Sequence, residues 1–365
     1  MTSEAFTSAS TSAFTSGSTR ATRSRTQREL SPGEVADLVR FSLGSSCRVA
    51  GAAELGGGGF AAVWRVELHG AAPVVLKLSP PPGAELLGYE RGLLAVEAEY
   101  FARIGRELPG LPVPEVLHHG TDPSWCEGGW LLMTLLPGTP LSQLGAGPAG
   151  APVREELGRT LARLHTLGGD EFGYPGEGRR RSSSWREAFL GIIDDLLADA
   201  ERLGAPLPVP AAEIRAVVAA ASPVLDLVRR PALVHFDLWD GNVLAVPGGG
   251  SGGAGALRLS GLVDGERCLY GDPLVDLVSP VLFGAIEEQP DHPLLRGYAA
   301  ADHDSGPWRW DEASLLRVRL YRLWLYLVMN VEIPTRALAG PEHRGQREHR
   351  AQLLRAALAA VRGRP

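Results

Sequence analysis

Side chains able to do acid–base or metal chemistry crowd residues 235–266, and five of them are singled out by their spacing. His235, Asp237 and Asn242 fall in Leu-Val-His-Phe-Asp-Leu-Trp-Asp-Gly-Asn-Val-Leu, and Asp264 and Glu266 in Leu-Val-Asp-Gly-Glu. Between the two groups, residues 243–246 and 257–263 read as apolar strands, separated by Pro247 and a glycine-serine tract that can only turn the chain round. An antiparallel hairpin brings its ends together, with Asn242 just before the first strand and Asp264 just after the second. An amide oxygen and a carboxylate oxygen converging there are hard ligands suited to Mg2+. Asp237, five residues before Asn242 on a loop, can reach the same volume and accept a proton from a substrate hydroxyl. His235 is expected to orient that loop rather than to react.

The spacing His-x-Asp-x-x-x-x-Asn, followed by a metal-binding Asp after a strand, is the catalytic-loop arithmetic of phosphoryl transfer. Together with Gly271-Asp272-Pro273-Leu-Val-Asp276, the segment resembles the aminoglycoside phosphotransferase and choline kinase-like superfamily of small-molecule kinases. Its Asp-Leu-Trp-x-Gly-Asn detail resembles the fructosamine (ketosamine) kinase branch. The resemblance implies an α+β, two-lobed protein-kinase-like fold, with a small β-rich N-lobe and a larger, mostly helical C-lobe. It also implies ATP and Mg2+, and a small-molecule acceptor that offers a hydroxyl. Two positions depart from relatives. Phe236 stands where the family usually has Gly and could narrow the substrate or phosphate channel, while Glu266 stands two after Asp264 where the protein kinases have Gly, a difference that is normal in the small-molecule branch. Asp276, like Asp272, is expected to cap a helix or brace a loop.

The nucleotide half is expected upstream. A glycine run holding Gly57, Gly58 and Gly59 lets main chain approach phosphates with no side chain in the way. It leads into strands over 61–68 and 74–78, joined by a turn at His69-Gly70. Lys77 lies between Leu76 and Leu78, off the alternating apolar face, and the kinase resemblance gives it the α- and β-phosphates. Over residues 91–106, Leu93, Tyr100, Phe101 and Ile104 fall on one helical stripe, and Glu97 lies on that stripe. A carboxylate on a buried face needs a cation, so Glu97 is expected to pair with Lys77, with Glu99, off the stripe, in reserve. Residues 111–117 and 129–138 read as a further hairpin. By resemblance, Met133 and Leu135 belong to a hinge whose backbone would hydrogen-bond adenine, although Met133 suits core filling equally well.

With 365 residues the chain can bury two modest lobes around one cleft. Its 44% hydrophobic and 21% charged content is ordinary for a soluble globular protein and favours neither disorder nor a membrane class. Thirty-six basic against 42 acidic residues leave a net charge of -6, which gives no reason to expect nucleic acid. Cys47, Cys126 and Cys268 are odd in number and widely spaced, without a disulfide or zinc pattern, so a reducing cytoplasm is the simplest setting.

Residues 1–29, rich in Ser and Thr, are expected to be a disordered tail. The N-lobe should run over 30–140, opening at a capping box in Ser31-Pro-Gly-Glu34. A linker over 141–152 leads to the C-lobe at 153–365, with helices near 153–167, 185–203, 311–331 and 341–362. Arg179, Arg180 and Arg181 read as a solvated surface, and Glu287, Glu288, Asp291, Asp302 and Asp304 could serve a polycationic acceptor. The expected activity is an ATP- and Mg-dependent O-phosphotransferase acting on an amino sugar, a ketosamine or an aminoglycoside-type antibiotic. Two other classes stand beside it. One is a nucleotide-binding pseudokinase module; the other is a metal-dependent hydrolase using His235, Asp237, Asp264 and Glu266, which would not need Lys77.

Overall fold

The capping box at Ser31 forms: the hydroxyl accepts the Glu34 amide, the Glu34 carboxylate accepts the Ser31 amide, and α1 (Pro32–Leu43) begins there. The computed structural model describes residues 24–56, 59–145, 147–248, 256–301, 308–336 and 338–363. Residues 1–23 of the expected tail, Gly57 and Gly58 of the glycine run, most of the glycine-serine tract, Asp302 and Asp304 lie outside the described residues. Residues 24–29, expected in the tail, instead pack on the fold, with Ser24 and Thr26 buried. Short hydroxyl side chains that read as disorder by composition also fit a crevice of main-chain carbonyls.

Next come β1 (Val49–Leu55), β2 (Ala62–Leu68), β3 (Ala71–Leu78), α2 (Leu93–Glu107), β4 (Val116–Gly120) and β5 (Trp130–Thr134), whose strands form one antiparallel sheet ordered β1-β2-β3-β5-β4. Alternation along the strands divides the lobe. Trp64, Val66, Leu76, Leu78, Trp130 and Leu132 close a small core with Val35, Leu38 and Val39 of α1. Leu131 and Met133 join the larger core that contains α2. Lys77 pairs in register with Leu131 and so faces the same way. β1 was not expected, because its mostly exposed small residues carry no apolar period. The strand expected at 111–117 begins only at Val116, since Pro112 and Pro114 cannot donate to a ladder.

The C-lobe contains β6 (Thr139–Pro140), α3 (Ala151–Leu164), β7 (Phe172–Gly173), β8 (Arg181–Ser182), α4 (Trp185–Leu203), α5 (Ala211–Ala221), β9 (Ala232–Val234), β10 (Val243–Pro247), β11 (Leu257–Leu262), β12 (Leu269–Gly271), α6 (Pro293–Ala300), α7 (Glu312–Val331) and α8 (Arg344–Arg362). Its strands make two small sheets, ordered β11-β10-β6 and β8-β7-β12-β9. The expected hairpin is there, with Val243 opposite Leu262. α7 is buried along most of its length, through Leu320, Tyr321, Leu323, Trp324 and Leu327 among others. α3 and α6 cross so closely that a Cβ on Gly297 would lie 1.9 Å from the Glu155 carbonyl oxygen, which requires glycine there. No helix among the described residues is long and apolar enough to cross a membrane.

Candidate active site

The loop that leaves β9 is held by one carboxylate. Asp276 accepts the amides of His235 (2.9 Å) and Phe236 (2.6 Å) and lies 3.0 Å from His165 Nε2. The Leu238 amide donates to Ser279 Oγ at 2.8 Å. Asp276 thus braces the loop, as its position suggested. These bonds hold Phe236 at φ 71°, a left-handed conformation that L residues rarely adopt. Its ring is 1% exposed and stacks on Trp324 with centroids 4.1 Å apart. The suggestion that Phe236 narrows a channel is therefore corrected: the turn swings the side chain into the C-lobe core.

His235 is fully buried and spans the base of the hairpin, with Nε2 3.0 Å from the Val263 carbonyl and Nδ1 accepting the Asp237 amide at 3.3 Å. Burial holds its pKa below the ordinary histidine value. Those contacts make it a brace. Asn242 donates Nδ2–H to the Asp237 carbonyl (2.8 Å), and its own carbonyl accepts the Val263 amide (3.1 Å). Asp264 follows in the left-handed region at φ 60°.

The predicted pair forms. Lys77 Nζ lies 2.7 and 2.9 Å from the two Glu97 oxygens, both residues being buried. The same ammonium lies 2.6 Å from Asp264 Oδ1 and 3.2 Å from Glu266 Oε2, so the upstream and downstream halves meet at one nitrogen. Burial opposes the charge on Lys77, but Asp264, Glu266 and Glu97 together raise its pKa well above the usual value. Burial in turn pushes the Glu97 carboxyl upward, against the pull of Lys77. Glu97, Asp264 and Glu266 each offer an oxygen within 4.8 Å of the others, an arrangement able to hold a cation. Glu99 points away and pairs with Arg106 on the surface, as the helical period predicted.

Asp237 is tied to Asn242 through its main-chain carbonyl. Burial raises its carboxyl to about 6; Arg267 opposes this, and Glu266 and Asp264 add to it. A carboxylate with that pKa can take a proton near neutrality. Of the expected hinge residues, Met133 is buried inside β5, in register with Val75 on one side and Val116 on the other, so its backbone belongs to the sheet. Leu135 comes just after the strand ends at Thr134. Gly59 is the residue of the named glycine trio that is described, and it lies against Arg336.

Sequence reasoning missed a second charged layer. Arg267 Nε lies 3.5 Å from Asp237 Oδ2, and its Nη2 lies 2.6 Å from Glu332 Oε1. Tyr89 Oη donates to that same Glu332 oxygen at 2.6 Å, and Arg336 reaches it at 3.4 Å while also pairing with Glu90. Burial would raise the Glu332 carboxyl, yet Arg267 and Arg336 hold it down at about 2. Arg179, expected on a solvated surface, instead donates to the carbonyls of Gly88, Tyr89 and Arg91. Only Arg267, three residues after Asp264, carried a local signal. Tyr89, Glu90 and Glu332 come from segments brought together by the fold.

A family model described as the phosphotransferase enzyme family, APH, matches residues 52–316. Among solved structures, the chain is similar to a candidate fructosamine-3-kinase from Thermobifida fusca, at 26% identity and TM-score 0.61 over 90% of this chain and 99% of that one. It shares its fold with a thermostable aminoglycoside phosphotransferase APH(4)-Ia solved with ADP and hygromycin B, at 17% identity and TM-score 0.58 over 90% of this chain and 98% of that one. A choline/ethanolamine kinase family protein from Mesorhizobium loti is similar at 22% identity and TM-score 0.51 over 85% and 92% of the two chains. Curated proteins compared with the chain gave no match. With the family model spanning both lobes and the two-lobed kinase-like fold around Lys77 and Asp237, the chain belongs to the phosphotransferase enzyme family, APH, of small-molecule kinases.

Proposed function

We propose that the protein transfers the γ-phosphoryl group of ATP, with Mg2+, to a hydroxyl of a small molecule. The observation that carries this reading is the meeting at Lys77 Nζ of Glu97 from the N-lobe with Asp264 from the catalytic hairpin, at 2.7 and 2.6 Å. Lys77, braced by Glu97, would hold phosphate oxygens, and Leu135, beyond the end of β5, would meet the adenine through its backbone. Asp237 would orient the acceptor hydroxyl and take its proton as that oxygen bonds to the γ-phosphorus and the bond to the departing ADP oxygen breaks.

The residues fit Mg2+. Asn242 and Asp264 offer hard oxygen donors, and the ammonium of Lys77 already gathers three carboxylates, which marks the spot as one that attracts positive charge. Bound there, the ion would neutralise charge on the phosphate oxygens. Asn242 and Asp264 would be its protein ligands, with Glu266 holding Lys77 beside them.

The acceptor class we favour is a ketosamine or related amino-sugar hydroxyl. Three features support it: the Asp-Leu-Trp-Asp-Gly-Asn segment at 237–242, the 26% identity to the candidate fructosamine-3-kinase, and the charge layer beside Asp237. There the carboxylates Glu332 and Glu90 are already paired with arginines, a poor match for a polycationic aminoglycoside. ATP consumption measured over a panel of ketosamines, amino sugars, aminoglycosides and amino alcohols tests the assignment. Asp237→Asn should keep ATP binding and lower turnover by roughly 100-fold or more, the scale of a lost general base. Unchanged turnover would sink the role given to Asp237.

A further inference from the structure

The end of the glycine run is gripped from two sides by residues that belong to neither the Lys77 cluster nor the Asp237 loop. On one side, fully buried Thr26 donates its hydroxyl to the Gly59 carbonyl at 3.2 Å. Ser24 Oγ lies 2.9 Å from Thr26 Oγ1 and 3.4 Å from the Thr335 carbonyl, so two hydroxyls bridge from the glycine run to the segment that follows α7. Arg28 anchors this stretch to the N-lobe edge, donating to the carbonyls of Ser79 (3.2 Å), Pro80 (3.2 Å) and Glu127 (2.5 Å). On the other side, the Arg336 guanidinium lies over the Phe60 ring at 5.1 Å. A Cβ on Gly59 would sit 3.7 Å from Arg336 Cδ. Arg336 is itself fixed by Glu90 and Glu332.

We propose that Thr26 and Arg336 are positioning residues for the nucleotide, setting where Gly59 and Phe60 stand relative to both lobes. This rests on the ATP-dependent reading above. β2 starts at Ala62 and places Val63 opposite Lys77, so a shift of residues 59–60 moves the main chain next to the group assigned to the phosphates. The stretch 24–28 is thereby part of the nucleotide grip, although it precedes α1 and carries no motif. Thr26 acts through the Gly59 carbonyl, and Ser24 links Thr26 to the Thr335 carbonyl.

The test is ATP binding by titration calorimetry, with Mg2+ present, on the full chain and on Thr26→Val, Thr26→Ser and Arg28→Ala, followed by ATP turnover with whichever acceptor is active. Thr26→Val keeps the shape and removes the donor. The loss of one hydrogen bond should weaken ATP binding about five-fold, with the same rise in KM for ATP and little change in kcat. Thr26→Ser should restore wild-type binding, and Arg28→Ala, which frees the stretch at its bonds to the carbonyls of Ser79, Pro80 and Glu127, should weaken ATP binding in the same direction. Wild-type ATP affinity in both Thr26→Val and Arg28→Ala would overturn the inference. So would Thr26→Ser binding as weakly as Thr26→Val, since a purely steric role would then remain. A wild-type chain that binds no ATP would refute the kinase reading instead, so the two failures are distinguishable. If Thr26→Val does not fold, Arg28→Ala decides.

Discussion

Phe236 sets two effects against each other whose sizes can be worked out. Its side chain is 1% exposed and stacked on Trp324, so truncation to Ala should cost about 3–5 kcal/mol for the lost burial and the cavity left behind. Its φ of 71° is strained for any residue with a Cβ, by roughly 1–2 kcal/mol, and Ala keeps that strain. Gly removes it but loses about 0.5–1 kcal/mol more chain entropy on folding than Ala does. Phe236→Gly should therefore be less stable than wild type by roughly 2–4 kcal/mol, because burial outweighs strain. It should also be more stable than Phe236→Ala by about 0.5–1 kcal/mol, reversing the usual order of the two residues. Urea unfolding followed by tryptophan fluorescence, with the midpoints compared at a common m-value, measures both differences. A Gly variant as stable as wild type would refute the ring as a core anchor, and a Gly variant less stable than the Ala variant would refute strain at this position.

Asp276→Asn leaves the loop without one of its acceptors for the amides of His235 and Phe236, where bonds to a charged acceptor are worth about 1.5–3 kcal/mol each. It should lower stability by roughly 2–4 kcal/mol and also lower turnover, because the same loop carries Asp237; wild-type values for both in unfolding and ATP-consumption assays would show that packing alone holds the loop. Glu332, at about 2 in the folded protein against an ordinary 4.5, contributes stability that is fully present above pH 4.5 and is lost as pH falls through 4.5 toward 2. In urea titrations across that range, the stability gap between wild type and Glu332→Gln should be largest at neutral pH, at most about 3 kcal/mol, and should close in acid; a gap independent of pH would mean that the carboxylate's charge does not matter.

The hairpin and the Lys77–Glu97 pair were legible in the sequence because each depends on short-range periodicity, whereas for Asp276 the sequence offered a bracing role without the partners 40 and 41 residues away that it braces. Two apolar strands with a glycine-serine turn must bring Asn242 and Asp264 to one end, and a 3.6-residue period must put Glu97 rather than Glu99 on the buried face of α2. A lysine off the apolar alternation of β3 must then meet that carboxylate on the same side of the sheet. Side-chain period, turn chemistry and the cost of an unpaired buried charge suffice for both. Gly57 and Gly58, also expected at the site, lie outside the described residues.

The tertiary structure decided what depends on distant segments meeting. Phe236 looked like an obstruction, because its direction is governed by a left-handed φ that two Asp276 bonds and a stack on α7 enforce together. Met133 read equally as a hinge residue or as core filler, and strands on both sides take it into the sheet. Arg267, Glu332, Tyr89 and Arg336 form one layer although Tyr89 and Glu332 lie 243 residues apart, and Thr26 reaches Gly59 across 33 residues. Such contacts carry no period and no fixed spacing. They arise because a buried polar group must find whichever partner the fold brings within reach, and packing alone settles which one that is.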